Sequence, residues 1–432
     1  MFDVCIIGSG IVGSLIALKC SKFELDVLLL EKDNDVGNEA SSANSAIIHS
    51  GHDPKDNSLK ASMNVRGNIL WKALAQELSI DYKQVGAYVV AIDVLEVDEL
   101  IKLYHRTLKR GIECELIDGE KAREIEPHLS DSVLMALSLP STAIITPWEA
   151  SVSAVENAVD NGVQLELNQK VNQIIAVDDY FKVFTQNKIV EAKIVINCAG
   201  IYADQIYSMV SDTHQHQIKA RKGEYFVLDK SEHPIVSRVI YPIPSVKGKG
   251  VLAVPTIHKN VLIGPNSKQI EDKEHNDTTN DGLSEVKEHI QKTIKNIPFE
   301  QIIRSYSGLR ASIDLDDFVI EEAQDVPNFI NCIGIDSPGL ASAPAIAEYV
   351  VDTILSNKVN LKQKSKCVKR KPWIILNREP LEVRQAYVEK DPLYGHIICR
   401  CEQVSEAEII DVIQRSCGAR SVKAVKHRCR PG

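Results

Sequence analysis

Aromatic residues are scarce in this sequence of 432 residues, in which Phe, Trp and Tyr together make up 5%. Positive charge is not in excess either, because 50 Lys and Arg are outnumbered by 59 Asp and Glu, which leaves a net charge of −9. Proteins that bind nucleic acids through the phosphate backbone usually carry a basic patch or stripe. The composition therefore argues against a general nucleic-acid-binding protein.

Long apolar runs are also absent. The nearest candidate, Val4–Leu18, is interrupted by three glycines, and a membrane-spanning helix needs about 17–25 residues. The N-terminus has no cationic leader followed by a small-residue cleavage site. Most of the ten cysteines stand singly in apolar surroundings, which is typical of free thiols in a reducing compartment. We therefore expect a cytoplasmic protein with no transmembrane segment.

The chain is longer than the roughly 250–300 residues that one hydrophobic core usually serves. Two buried strands at 3–8 and 26–31 flank a helix at 11–22, which predicts a parallel sheet. The strand-rich region 216–320 predicts a second, antiparallel sheet. The fold class is therefore α/β, with a Rossmann-like nucleotide-binding domain, an inserted antiparallel-sheet substrate domain and a small C-terminal helical module. The expected limits are 1–80, 145–215 and 325–360 for the nucleotide-binding domain, 81–144 and 216–324 for the substrate domain, 361–393 for a linker and 394–432 for the module.

Three helix starts carry recognisable signals. One helix is expected to begin near Ser58, where apolar residues at helical spacing start. The run Thr146–Glu149 has the form of a capping box with proline at the first helical position. Ser405 and Glu408 form a second capping box in the C-terminal module.

The segment Gly8-Ser9-Gly10-Ile11-Val12-Gly13 has the pattern G-x-G-x-x-G between a predicted strand and a predicted helix. Gly8 permits a tight turn, Gly10 lets the backbone approach a pyrophosphate, and Gly13 lets helix pack on strand. Glu31 ends the next strand, 23 positions after Gly8, where it can accept hydrogen bonds from ribose hydroxyls. The pattern predicts one dinucleotide site, and by itself it leaves flavin and nicotinamide both open.

The segment EASSANSAIIHSGHDP (Glu39–Pro54), taken with this fingerprint, resembles flavoproteins of the D-amino acid oxidase type. More narrowly, it resembles the FAD-dependent glycerol-3-phosphate and L-2-hydroxyglutarate dehydrogenases and oxidases. The resemblance extends over about residues 1–357, because further segments follow in the family's order. They are NCAGIYAD (Asn197–Asp204), RKGEYFVL (Arg221–Leu228), GKGVLAVPT (Gly248–Thr256), VLIGPN (Val261–Asn266), YSGLRAS (Tyr306–Ser312) and GIDSPGLASAPAIAE (Gly334–Glu348).

The resemblance implies FAD as the cofactor. Gly8, Gly10, Gly13 and Glu31 would bind its ADP half. Ser41, Ser42 and Ser45 would lie along the pyrophosphate and the flavin, Ala199 and Gly200 near the pyrophosphate, and Val171 at the adenine. Gly339, Leu340 and Ala341 would offer N–H groups to the edge of the flavin where negative charge develops on reduction.

The resemblance also implies a catalytic role for His49 and a substrate-binding role for Arg310, Lys249 and Ser337. Oxidation of a secondary alcohol removes a hydride from carbon and a proton from oxygen, and a histidine suits the proton near neutral pH. Arg310 could hold a carboxylate or phosphate in a two-point fork, and Lys249 would add a point charge. Without the resemblance, His49 would be a core residue, Arg310 a surface group, Lys249 a hairpin tip and Ser337 a turn residue.

One position departs from the family pattern. The family usually has Asn-Ser-Gly shortly before the catalytic histidine, whereas this sequence has Asn44-Ser45-Ala46. Alanine adds a Cβ where glycine permits close approach or a positive φ. This departure lies three positions before His49.

The C-terminal module resembles the small [2Fe–2S] domain related to bacterioferritin-associated ferredoxin. Cys399 and Cys401 form its C-x-C pair, and Cys429 is a third candidate ligand. Four thiolates are the usual requirement, and the second pair of that family is not complete in this sequence. We expect either a cluster that passes electrons to a partner protein or a module without a cluster.

The predicted reaction is FAD-dependent oxidation of sn-glycerol 3-phosphate to dihydroxyacetone phosphate, with His49 as the base. The first alternative is oxidation of L-2-hydroxyglutarate, which is also a dianion with a secondary hydroxyl. A non-catalytic flavin-binding electron-transfer subunit and an amine or amino-acid oxidase are two further alternatives. The expected partners are a small anionic substrate and an electron acceptor, for which a redox partner protein is one candidate.

Overall fold

A computed structural model of the chain describes residues 1–213, 216–244 and 250–432. The helices in these ranges are α1 Ile11–Cys20, α2 Leu59–Leu78, α3 Val94–Lys109, α4 Gly119–Ile125, α5 Pro147–Asp160, α6 Ala203–Tyr207, α7 Asn280–Ile290, α8 Gly339–Glu348, α9 Leu381–Lys390, α10 Glu406–Gln414 and α11 Val422–Cys429. None of them combines the length and the apolarity that crossing a membrane requires.

The strands of the first half are β1 Phe2–Ile7, β2 Val27–Leu30, β3 Ile47–Ile48, β4 Tyr82–Gln84, β5 Ala87–Ala91, β6 Glu115–Asp118, β7 Met135–Leu139, β8 Ala143–Ile145, β9 Gln164–Glu166, β10 Val171–Val177, β11 Tyr180–Thr185 and β12 Ile189–Asn197. Those of the second half are β13 Lys219–Leu228, β14 Val239–Pro242, β15 Leu252–Pro255, β16 Val261–Gly264, β17 Lys268–Ile270, β18 Ile302–Ser312, β19 Val319–Glu322, β20 Phe329–Ile333, β21 Ile397–Cys399 and β22 Val404–Ser405.

The first sheet is parallel at its centre. β12, β1, β2 and β9 lie side by side in that order, and β20 also pairs in parallel with β12. All four residues of β2 are buried, as expected for strands that are covered on both faces. The carboxyl end of β1 meets that of β12, with Ile7 opposite Asn197. This edge carries the turn with the glycine fingerprint.

The second sheet is mainly antiparallel and has nine strands within the described residues. Their order is β17-β13-β16-β15-β14-β5-β7-β6, with β18 paired along β13. A small sheet of β3, β8 and β4 provides the strand that leads into His49. The predicted fold class, with a parallel and an antiparallel sheet, is confirmed. Helices begin at Leu59, Pro147 and Glu406, which confirms where the three helices were predicted to start.

The capping-box prediction is right at Ser405 and wrong at Thr146. Ser405 and Glu408 make both reciprocal hydrogen bonds of the box. Thr146 makes no side-chain cap bond, although Pro147 does occupy the first turn as predicted. The Thr146 hydroxyl is instead 3.4 Å from Nε2 of His258. A tertiary contact has therefore replaced the local cap.

The backbone of Ala46 lies in the left-handed region, with a φ of 60°. That region costs a residue with a Cβ about 1–2 kcal/mol, and the extra freedom of an unfolded glycine offsets about 0.4–1 kcal/mol. We expect Ala46→Gly to raise the free energy of unfolding of the apoprotein by about 0.5–1 kcal/mol. Urea titration measures this, with Ala40→Gly as the control because Ala40 is not among the positive-φ residues. An equal loss of stability in both variants would contradict the expectation.

Candidate active site

His49 is held in place directly after β3. Its imidazole is buried, and the Tyr241 hydroxyl on β14 lies 2.8 Å from Nδ1. The main-chain carbonyl of His49 accepts hydrogen bonds from the side-chain amides of Asn64 and Asn68 on α2, at 2.8 and 3.1 Å. A strand and a helix therefore fix both the ring and the backbone of this residue.

Tyr241 is the residue at this site that sequence reasoning missed. Its ring also contacts His52 edge-on, with 5.4 Å between ring centroids. Burial and the nearby Asp53 carboxylate raise the pKa of Tyr241 well above its usual value, so its hydroxyl stays protonated at neutral pH. No local motif connects Tyr241 to His49, because the two residues meet only when β14 is placed in the second sheet.

Arg310 on β18 has its guanidinium aligned by the backbone. Nη2 donates to the carbonyl oxygen of Asn266 at 2.7 Å, and no ion pair joins Arg310 to a carboxylate among the described residues. Gly223 on the neighbouring strand β13 makes room for this group, because a Cβ there would lie 2.2 Å from Nη2. Arg310 is therefore a positioned cation whose charge is not neutralised by a described acidic side chain.

A stacked tyrosine pair connects the serine run to the same sheet. Tyr225 and Tyr306 face each other across β13 and β18, with ring centroids 4.6 Å apart and planes 5° apart. The Tyr225 hydroxyl is 3.2 Å from Ser45 Oγ, and the Tyr306 hydroxyl donates to the Asn44 carbonyl at 2.9 Å. The loop that precedes His49 is therefore attached to the strand that carries Arg310.

The first turn of α8 is clamped by α2. Trp71 Nε1 donates to the Leu340 carbonyl at 2.9 Å, and a Cβ on Gly67 would lie 2.1 Å from the Ala341 carbonyl oxygen. The Gly339 N–H donates to the Asp336 carbonyl at 2.5 Å. The next N–H groups at the start of a helix have no partner within the helix and can meet a negatively charged ligand atom. Ser337 precedes this turn and is exposed, as the sequence prediction of a ligand contact would require.

The glycine fingerprint has the geometry that its sequence predicts. Gly8 has a φ of 99°, and a Cβ on it would lie 2.5 Å from the Cys198 carbonyl oxygen. A Cβ on Gly13 would lie 2.0 Å from the Gly8 carbonyl oxygen. A Cβ on Gly10 would meet Ser41 Oγ at 3.2 Å, and Ser41 Oγ accepts from the Ile11 N–H at 2.8 Å. The turn thus brings Ser41 to the first N–H groups of α1.

Glu31 is buried beside this turn, and burial raises its pKa. Its Oε2 accepts from the Ser9 N–H at 2.9 Å and from the Ser9 hydroxyl at 2.7 Å, while Oε1 accepts from the Asp33 N–H at 3.0 Å. The Gln169 N–H donates to the Glu31 carbonyl at 2.8 Å, and Val171 follows two residues later at the start of β10.

The remaining predicted cofactor residues lie around the turn or beside it. Ala199 follows β12 and is packed against Gly8, and Gly200 has a φ of 56°. The Ser42 hydroxyl donates to the Asn38 and Glu39 carbonyls within its own loop. Lys249 lies outside the described residues, so its predicted substrate contact stays a prediction, as do the roles of the other site residues.

Comparison with known proteins identifies the family. A family described as FAD dependent oxidoreductase matches residues 3–353. The chain belongs to this family. It is 43% identical to a glycerol 3-phosphate dehydrogenase of Caloramator mitchellensis over 100% of this chain and 90% of the relative. It is 28% identical to an L-2-hydroxyglutarate dehydrogenase of Arabidopsis thaliana over 82% of this chain and 83% of the relative.

A solved structure of a flavoprotein has the same fold as this chain. The L-alpha-glycerophosphate oxidase of Mycoplasma pneumoniae, determined with FAD bound, superposes with a TM-score of 0.81 at 28% identity. The match covers 86% of this chain and 99% of that chain. The predictions of an FAD-dependent oxidoreductase and of FAD as its cofactor are therefore confirmed.

The residues of this member of the FAD dependent oxidoreductase family fit the cofactor. A Cβ on Gly8 or Gly13 would collide with backbone atoms, whereas a Cβ on Gly10 would meet only the Ser41 hydroxyl. A backbone that is open at the second glycine and closed at the other two is what a pyrophosphate-binding turn needs. The start of α1 adds N–H donors and a partial positive charge.

The predicted metal ligands, Cys399, Cys401 and Cys429, lie in the C-terminal module. Among residues 1–213, 216–244 and 250–432, no group of three or more His, Cys, Asp or Glu side chains is placed to hold a metal ion. The sulfur atoms of Cys399 and Cys401 are 3.1 Å apart, but the Cys429 thiol donates to the Val425 carbonyl. The ligand roles of Cys399, Cys401 and Cys429 therefore stay predictions.

Proposed function

We propose that this protein oxidises sn-glycerol 3-phosphate at C2 and releases dihydroxyacetone phosphate. The observation that carries the proposal is the pairing of a buried, hydrogen-bonded histidine with a positioned arginine that has no acidic partner among the described residues. The likeness over the whole chain to a glycerol 3-phosphate dehydrogenase supports this substrate.

In the proposed reaction, His49 accepts the proton of the C2 hydroxyl through Nε2. Nδ1 must then carry the other proton and donate it to the Tyr241 hydroxyl, since a neutral imidazole has one donor and one acceptor nitrogen. Arg310 binds the phosphate of the substrate, with Ser337 and Lys249 as further proposed contacts. When bound, FAD supplies the acceptor for the hydride that leaves C2.

Tyr241→Phe tests the Tyr241–His49 hydrogen bond. The substitution removes the hydroxyl from Nδ1 and leaves the ring in place, so we expect kcat to fall about tenfold while KM changes little. Tyr88→Phe is the control, because Tyr88 lies on β5 beside β14 and its ring faces Arg238 instead. If both variants lost the same activity, the hydrogen bond would have no specific role.

L-2-hydroxyglutarate is the second candidate substrate, because Arg310 can bind a carboxylate as well as a phosphate. The lower identity to L-2-hydroxyglutarate dehydrogenases makes it the less favoured one. An iron–sulfur cluster is not part of the proposal, because in the described chain Cys399 and Cys401 lie together without two further thiolates. Oxygen and a redox partner protein both stay candidates for the electron acceptor.

Anaerobic reduction of the bound flavin decides between the substrates. The purified protein with FAD is mixed with sn-glycerol 3-phosphate or L-2-hydroxyglutarate, and the flavin absorbance is followed. We expect fast bleaching by glycerol 3-phosphate and slow or no bleaching by L-2-hydroxyglutarate. The reverse order would overturn the proposed substrate, and no bleaching by either would favour an electron-transfer subunit or an amine oxidase. Peroxide measurement in air then reports whether oxygen accepts the electrons.

A further inference from the structure

A buried ion pair joins the C-terminal module, residues 394–432, to the loop after β2. Arg428 on α11 and Asp35 make a two-point contact, with Nη1 2.8 Å from Oδ2 and Nη2 2.8 Å from Oδ1. The side chains are 1% and 3% exposed. Such a fork in a buried site is both strong and geometrically specific. The two residues are 393 positions apart in sequence, so the contact depends on docking of the module.

Arg428 is fixed from its own side as well. Nη2 donates to the Cys417 carbonyl at 2.9 Å, and Nη1 donates to the Ala424 carbonyl at 3.0 Å. The direction of the guanidinium is therefore set by contacts within the module as well as by Asp35. Removing one member of a buried pair leaves a charge that must find water, which displaces the backbone that carries it.

The displaced backbone would be the 33–38 loop, which touches the fingerprint turn. The Gly37 N–H donates to the Ser9 carbonyl at 3.1 Å, and the Val36 N–H is held by Asp35 Oδ1 at 2.9 Å. Ser9 in turn donates to the Glu31 carboxylate through both its N–H and its hydroxyl. A continuous set of contacts thus leads from Arg428 through Asp35, Gly37 and Ser9 to Glu31.

Other contacts hold the module without touching this loop. Arg415 Nη1 is 3.1 Å from Glu156 Oε1 on α5, and it also donates to the Lys371 carbonyl at 2.7 Å. The same carboxylate also holds the linker, because Glu156 Oε2 lies 2.7 Å from Nε of Arg370. Docking of the module and positioning of the loop can therefore be separated by mutation.

We propose that Arg428 is a positioning residue for FAD: the docked C-terminal module holds the 33–38 loop and, through Ser9, the Glu31 carboxylate in the arrangement that receives the adenosine ribose. The module then has a role in cofactor retention that needs no metal in it. This inference rests on FAD binding by the fingerprint turn, not on which alcohol the protein oxidises.

Arg428→Met in the full-length chain tests the proposal. FAD is titrated into apoprotein and its Kd is read from quenching of flavin fluorescence. We expect Kd to rise about tenfold, a coupling that is typical of residues acting through a contact network. Arg415→Met is the matched control. Arg415 is a largely buried arginine of the same module, and it contacts Glu156 but not the 33–38 loop. Its Kd should stay within about twofold of wild type, even if Tm falls in both variants.

Arg428→Lys is a second variant that tests the proposal even if Arg428→Met does not fold. Lysine keeps the charge but loses the two-point fork, so we expect a smaller rise in Kd than in Arg428→Met. Unchanged Kd in Arg428→Lys and in any folded Arg428→Met sample would overturn the proposal. An equal rise in Arg415→Met would also overturn it, because the effect would then be general destabilisation. Bleaching by glycerol 3-phosphate at saturating FAD stays intact in either case, so the substrate proposal is tested separately.

Discussion

Replacement of His49 by alanine is expected to lower the rate of flavin reduction by about 10²–10⁴-fold, the usual contribution of a general base. The imidazole is buried beside Tyr241, and alanine removes the nitrogen that is proposed to accept the hydroxyl proton. KM should change little, because the proposed phosphate contact is made by Arg310. Anaerobic stopped-flow measurement with glycerol 3-phosphate gives the rate constant directly.

The controls for this prediction separate chemistry from cofactor loss. His49→Ala should retain FAD, which the absorbance spectrum of the purified variant reports. His105→Ala replaces an exposed histidine on α3 and should react like wild type. A His49→Ala rate within a few-fold of wild type would show that another group takes the proton.

Arg310→Met is expected to raise KM for glycerol 3-phosphate by about 100-fold. Hydrogen bonds to charged groups are worth about 1.5–3 kcal/mol each, and the guanidinium can offer two. The loss should be specific to the phosphate, so kcat/KM for glycerol, which lacks that group, should be nearly unchanged. Steady-state kinetics with both substrates measures the difference.

Two further variants sharpen this second prediction. Arg310→Lys keeps a positive charge without the fork, and we expect only partial recovery of KM. Gly223→Ala leaves Arg310 in the sequence but places a Cβ 2.2 Å from the present position of Nη2. The added Cβ would also lie 2.7 Å from the Pro265 Cβ. Arg310 and Pro265 must then shift, and KM should rise without loss of the charge. If KM for glycerol 3-phosphate and for glycerol rose together, Arg310 would be supporting the fold rather than the phosphate.

The local part of the cofactor site was predictable because it depends on short-range geometry. The turn at Gly8, Gly10 and Gly13 follows from strand, tight turn and helix in one stretch of chain. The positive φ at Ala46 is consistent with the glycine that the family usually has there. The capping box at Ser405 and Glu408 spans one helical turn, and it formed as expected.

The prediction that was wrong was overridden by a contact between distant parts of the chain. The capping box expected at Thr146 gave way to a contact with His258, which is far along the chain. Spacing along the chain does not encode such a contact between distant segments.

By itself, the sequence determined the dinucleotide turn, the order of the elements and the candidates for base and anion contact. Each of these depends on residues that are neighbours in the chain or on a run of matching motifs. Only the tertiary structure placed Tyr241 at His49, Asn266 at Arg310, and Arg428 at Asp35. Those pairs form when sheet register and helix docking bring distant segments together, and no local pattern specifies which distant side chain will complete a hydrogen bond.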